Sequence, residues 1–113
     1  MANEAQQFYE KFKVDMGKMQ EQIPDTMNDF FSMFSGIMKD GAISVKEKEL
    51  IALGIAVAQP CVPCIRLHVQ KSLAAGATKE QILEAASVAV MMAGGPGLTH
   101  IPMVIDALEA LSS

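Results

Sequence analysis

Tryptophan is absent, and the 113 residues hold only five Phe and one Tyr. No segment alternates apolar and polar residues with period two. A chain this poor in aromatics and in alternation has little from which to build a β-sandwich core. Cysteine is scarce: Cys61 and Cys64 are the two present, too few for the disulfide framework of a small secreted domain. Charged residues make up only 19%, and 13 acids against 9 bases leave a net charge of −4. No basic patch stands out, so nucleic acid is not an expected partner. No apolar run approaches the roughly 18 residues that span a bilayer; the longest is Leu50–Ala58. The opening MANEAQQFYE is polar and has no apolar core of a signal peptide. A cytoplasmic protein that does not enter membranes is the expectation.

What remains is aliphatic. Half the residues are hydrophobic and nine are Met, which excludes general disorder and describes a soft aliphatic core. The length fits one domain, residues 1–113, with a small core. A helical chain this apolar leaves apolar faces uncovered as a single copy, and such patches mark interfaces. A homo-oligomer is therefore expected.

The periodicity is helical throughout, giving an all-α fold of about six helices. Phe8, Phe12, Met16 and Met19 form a stripe over about 4–22, in a helix polar enough to be an arm or oligomer contact. Pro24 suits the first turn of a second helix, running to about Lys39. Residues 1–40 thus form an N-terminal helical pair, and 44–112 the core. Ser44-Val-Lys-Glu47 is a capping box that opens a third helix, apolar on nearly every side over Leu50–Ala58 and so expected to be buried. Gln59-Pro60 ends it. A fourth helix begins near Cys61–Pro63 and ends at Gly76. Thr78-Lys-Glu-Gln81 is a second capping box, for a helix to about Ala93. Gly94-Gly-Pro-Gly97 reads as a sharp break before a last helix over about 98–111.

The chemistry concentrates in Cys61-Val-Pro-Cys64-Ile-Arg-Leu-His68. Helical spacings of three and four place Cys61, Cys64 and His68 on one narrow stripe. At a helix start two thiols three apart can pair without unfolding the helix, and unpaired N–H groups favour a thiolate. Pro63 fits, because the first turn needs no amide donor there. An imidazole one turn beyond Cys64 can take the thiol proton. The short turn at Gln59-Pro60 makes the third and fourth helices antiparallel, which brings Glu49 to the height of His68. Carboxylate, imidazole and thiol then form a chain. Glu49 has a second reading, as part of the solvated run Lys46-Glu47-Lys48. His100, after the Gly-Pro-Gly break, reads as a surface or cap residue, and the Met stripes as core filling.

Two other readings stay open. Cys61, Cys64 and His68 could supply three ligands to a metal, with Glu49 or water as a fourth, although no second Cys/His cluster exists to complete a site. Alternatively the cysteines are two small hydrophobes in a non-catalytic helical oligomer. Four cysteines for an iron–sulfur cluster are not available, and Ile65 after Cys64 excludes a covalent c-type haem motif.

The pattern Glu49-x11-Cys61-x-x-Cys64-x-x-x-His68, with Lys46-Glu-Lys-Glu-Leu-Ile-Ala-Leu before it and Leu73-Ala-Ala-Gly-Ala-Thr-Lys-Glu-Gln-Ile and Ala93-Gly-Gly-Pro after it, resembles the alkylhydroperoxidase D-like branch of the carboxymuconolactone decarboxylase superfamily. The resemblance covers about residues 44–112. It implies an all-α fold around a central antiparallel helical hairpin, assembled as a homo-trimer or hexamer. It also implies a thiol peroxidase or disulfide reductase that needs no metal, flavin or haem. Cys64 would react with peroxide, Cys61 would resolve the sulfenic acid to a disulfide, and His68 and Glu49 would relay protons. The substrate would be a hydroperoxide or a disulfide, and the reductant an outside dithiol. Studied peroxidases of this family carry a histidine just before the second cysteine. Pro63 stands there instead, as in thioredoxin-type motifs, which shifts weight toward dithiol–disulfide exchange. Members that decarboxylate carboxymuconolactone lack the cysteine pair, so that reaction is not expected.

Overall fold

A computed structural model describes residues 3–112 as helices joined by short turns, with no strand among the described residues. The elements are α1 (Glu4–Gln22), α2 (Pro24–Ile37), α3 (Val45–Ala58), α4 (Val62–Ala74), α5 (Lys79–Ala93), the single turn α6 (Gly95–Leu98) and α7 (Ile101–Leu111). The ends follow local chemistry. Ser44 Oγ accepts from the Glu47 amide while the Ser44 amide donates to Glu47 Oε1, so the first capping box is closed both ways. The Ser44 amide and hydroxyl, both donating to Glu47 Oε1, hold the Glu47 carboxyl below the usual carboxylate range. Thr78 and Gln81 do the same for α5. At the end of α4 the Ala77 amide donates to the Ser72 carbonyl and the Gly76 amide to that of Leu73. Gly76 takes φ +96° there, which only glycine adopts without strain.

The helical hairpin α3–α4 is the centre of the fold. Leu53 and Val57 of α3 meet Ile65 and Val69 of α4, with Ile82 and Ala86 of α5 and Val104 and Ala107 of α7 closing around them, all fully buried. Each large aliphatic buried in this way contributes about 1.5–3 kcal/mol. Gly97 lets the α6 turn approach α5: a Cβ there would lie 3.2 Å from the Val90 Cα.

Four expectations need correction. The stretch 94–98 is not a plain break, because Gly94 turns at φ +70° and Gly95–Leu98 forms one helical turn before α7 starts at Ile101. The second helix stops at Ile37 rather than Lys39, where Lys48 Nζ donates to the Ile37 and Lys39 carbonyls and so caps it from α3. The apolar stretch of α3 is not buried on every side: Ile51 and Ile55 are each 52% exposed. With Val88 and Met92 of α5 they line an apolar groove that nothing else among the described residues covers. Finally, α1 is not a free arm at its start. Its innermost residues are Ala5, fully buried, and Tyr9, while the Phe8–Phe12 stripe is half-buried and stacked at 5.2 Å.

Candidate functional site

The tight turn after α3 sets the site. The Cys61 amide reaches back to the Ala56 carbonyl, and Cys61 becomes the N-cap of α4, with its Sγ facing the Cys64 amide at 3.4 Å. Pro63 falls in the first turn, where its missing N–H costs nothing. Cys61 and Cys64 are joined as a disulfide with their Cα atoms 5.3 Å apart. Cys64 packs against the hydrophobic core. Around Cys61 the surface is open: Gln59, Pro60 and Pro63 are all exposed.

His68 lies one turn beyond Cys64 on the same side of α4. Helical spacing and the N-terminal lean of helical side chains put His68 within one turn of the cysteine pair. His68 Nδ1 is 2.8 Å from Glu49 Oε1. A carboxylate only accepts, so Nδ1–H donates to it and Nε2 keeps its lone pair for a proton. Glu49 is 4% exposed and thus buried, which rules out the solvated reading for it. Its neighbour Glu47 is the exposed member of that run. The structure therefore pairs Glu49 of α3 with His68 of α4, and Cys61 with Cys64, with His68 one helical turn beyond Cys64. His100 is elsewhere, half-buried at the start of α7, where its Nδ1 hydrogen bonds to the Pro96 carbonyl at 2.7 Å. Among the described residues no group of three or more His, Cys, Asp or Glu is placed to hold a metal ion.

Sequence reasoning missed the support behind α4. Tyr9 OH donates to the Arg66 carbonyl, between Cys64 and His68 in sequence. Burial pushes the Tyr9 phenol up to about 12, against the opposing pull of the Arg66 charge. The Arg66 guanidinium lies 5.5 Å over the Phe8 ring and 3.6 Å from Glu4 Oε2. Helix α1, packed mainly on α7, thus also reaches the helix that carries the cysteines through Arg66. The spacing of Ala5 and Tyr9, one turn apart, was the available signal, but the larger Phe stripe beside it dominates the pattern.

Known proteins agree with this architecture. The family model of the carboxymuconolactone decarboxylase family matches residues 24–102. An uncharacterised protein of Cupriavidus necator is 35% identical over 86 residues, covering 73% of this chain and 76% of its own length. Uncharacterised protein 4 in the cox locus of Paracoccus denitrificans is 34% identical over 82 residues, with 73% and 74% covered. Among solved structures, the apo form of a carboxymuconolactone decarboxylase family protein from Legionella pneumophila matches with a TM-score of 0.89 at 35% identity, over 96% of this chain and 97% of that one. A family member from Thermotoga maritima, put forward as a candidate for a role in an antioxidative response, matches at 0.70 and 31% identity, over 77% and 90%. With the family model spanning most of its length and relatives above 30% identity, the chain belongs to the carboxymuconolactone decarboxylase family.

Proposed function

We propose that this chain is a thiol-dependent oxidoreductase whose working group is the Cys61–Cys64 pair, with His68 and Glu49 as its proton relay. One observation carries the reading. A closed cysteine pair at the start of α4 is backed within one turn by an imidazole that a buried carboxylate orients. Such a relay has no structural need to sit beside a disulfide, but a thiol that must lose and regain a proton needs it.

Two electrons move per cycle. In disulfide exchange, the reduced pair gives two electrons to an outside disulfide and closes to Cys61–Cys64. With a hydroperoxide, the Cys64 thiolate takes the terminal oxygen, the alcohol leaves, and Cys61 displaces hydroxide from the sulfenic acid to form the same disulfide and water. An outside dithiol then reopens the pair and ends as a disulfide itself. Pro63 in place of a histidine favours exchange over peroxide reduction, because the pair then has one imidazole rather than two near it. The antioxidative role suggested for the Thermotoga relative fits either branch. The chain works in this reading as a cytoplasmic homo-oligomer, a second copy covering the α3–α5 groove. No helix among the described residues is long and apolar enough to cross a membrane.

The test is turnover. Dithiothreitol oxidation is followed with catalytic protein and excess hydrogen peroxide or oxidised glutathione. Wild type accelerates at least one of the two, and Cys61→Ser and Cys64→Ser lose that acceleration. A doubly substituted protein that keeps the wild-type rate overturns the reading.

A further inference from the structure

The two sulfurs of the pair occupy different surroundings, and the difference assigns them separate tasks. Cys61 is the N-cap of a 13-residue helix, and its Sγ faces the Cys64 amide. A thiolate there gains from the helix N-terminus. Its neighbours Gln59, Pro60 and Pro63 are exposed, so another molecule can approach along the turn. No charged residue occurs from Leu50 to Ile65, so the turn that carries Cys61 is itself uncharged. Both cysteines are half-buried, but Cys64 is set differently. It packs against the core, and it sits one turn from His68. We infer that Cys61 is the sulfur at which outside thiols and disulfides exchange, while Cys64 is the internal partner that closes and opens the pair with His68 moving its proton.

This assignment rests on the redox reading of the pair and deepens it. In the oxidising direction the Cys61 thiolate attacks an outside disulfide, whose S–S bond breaks to release one thiolate and leave a mixed disulfide on Cys61. His68 Nε2 takes the Cys64 proton. Cys64 then attacks the Cys61 sulfur, the mixed disulfide breaks, and the second outside thiolate leaves. In the reducing direction an outside dithiol attacks Cys61. Cys64 departs as a thiolate and takes a proton from His68, and the donor's second thiol releases Cys61 while closing its own disulfide.

The probe is 4,4′-dithiodipyridine, a neutral disulfide that releases coloured thiopyridone at each step. Reduced wild type should release two equivalents in two phases and end as Cys61–Cys64. Cys64→Ser should stop after one equivalent, with the mixed disulfide on Cys61, and should react at least about fivefold faster at neutral pH than Cys61→Ser. His68→Ala should slow the second phase and leave the first near the wild-type rate. If a variant folds poorly, rapid acid quenching of wild type followed by peptide mass mapping still locates the first adduct. An early adduct on Cys64, or a His68→Ala change confined to the first phase, overturns the assignment while the pair still cycles. Release of two equivalents with no internal disulfide at the end overturns both the assignment and the redox reading beneath it.

Discussion

Replacing Glu49 by glutamine should slow closure of the cysteine pair without unfolding the protein. Glu49 is 4% exposed, and its Oε1 accepts from His68 Nδ1 at 2.8 Å. A glutamine amide oxygen can accept the same hydrogen, so the ring keeps its orientation while neutral. The difference arises when Nε2 takes the Cys64 proton and the ring becomes a cation. A hydrogen bond between charged groups is worth about 1.5–3 kcal/mol, roughly twice a neutral one. The His68 side chain retains 19% exposure, so water screens part of the charge and the lower half of that range applies. Glutamine keeps the neutral half of the bond, so about 0.7–1.1 kcal/mol is lost, and at about 1.4 kcal/mol per factor of ten closure should slow by about 3- to 6-fold. The assay is the second phase of thiopyridone release, with denaturant unfolding measured in parallel. Stability should change by about 1 kcal/mol or less, because one neutral acceptor replaces one charged one at the same place. A folded Glu49→Gln protein whose second phase stays within about twofold of wild type would refute the relay.

Other consequences follow from the same geometry. Tyr9→Phe should cost about 1 kcal/mol in denaturant unfolding, through the lost bond to the Arg66 carbonyl. Its alkaline behaviour has a definite sign. The folded phenol sits at about 12 against an ordinary 10, so the unfolded chain ionises first and stability falls as pH rises through that window. Tyr9→Phe should flatten that part of the decline, and an unchanged slope would contradict the burial. Gly97→Ala should destabilise by about 1–3 kcal/mol, since its Cβ would meet the Val90 Cα at 3.2 Å, with thermal unfolding as the readout. Light scattering should give wild type a mass several times 12.1 kDa. Ile55→Glu with Val88→Glu should reduce that mass, both positions being more than half exposed in the single chain.

The legible parts of this fold are those written in local chemistry. The two S/T-x-x-E/Q boxes and the 61–64–68 spacing act within one or two helical turns, so the residues themselves carry them. Glu49 required one tertiary inference, the antiparallel course forced by Gln59-Pro60, and its hydrogen bond to His68 follows from that geometry. The features that escaped depend on contacts between distant segments. Tyr9 is shown to matter only once α1 docks on α7 and its phenol reaches α4, and no spacing within residues 1–22 states where α1 docks. The exposure of Ile51 and Ile55 was hidden for the opposite reason. Apolarity all round a helix says which faces tolerate burial, and the arrangement of neighbours decides which are covered. The α6 turn was missed because two glycines and a proline read as interruption, whereas Pro96 is at home in a first turn and Gly97 allows close packing on α5.

Whether Cys61 and Cys64 form a reversible redox pair is decided by counting thiols in the intact wild-type protein. Alkylation and mass spectrometry would be applied after a dithiol, after one equivalent of hydrogen peroxide or a neutral disulfide, and after the dithiol again. A reversible pair gives two modified cysteines, then none, then two. Thiols that stay fully alkylated after the oxidant, or that never react after the dithiol, would contradict it and leave the pair as buried packing.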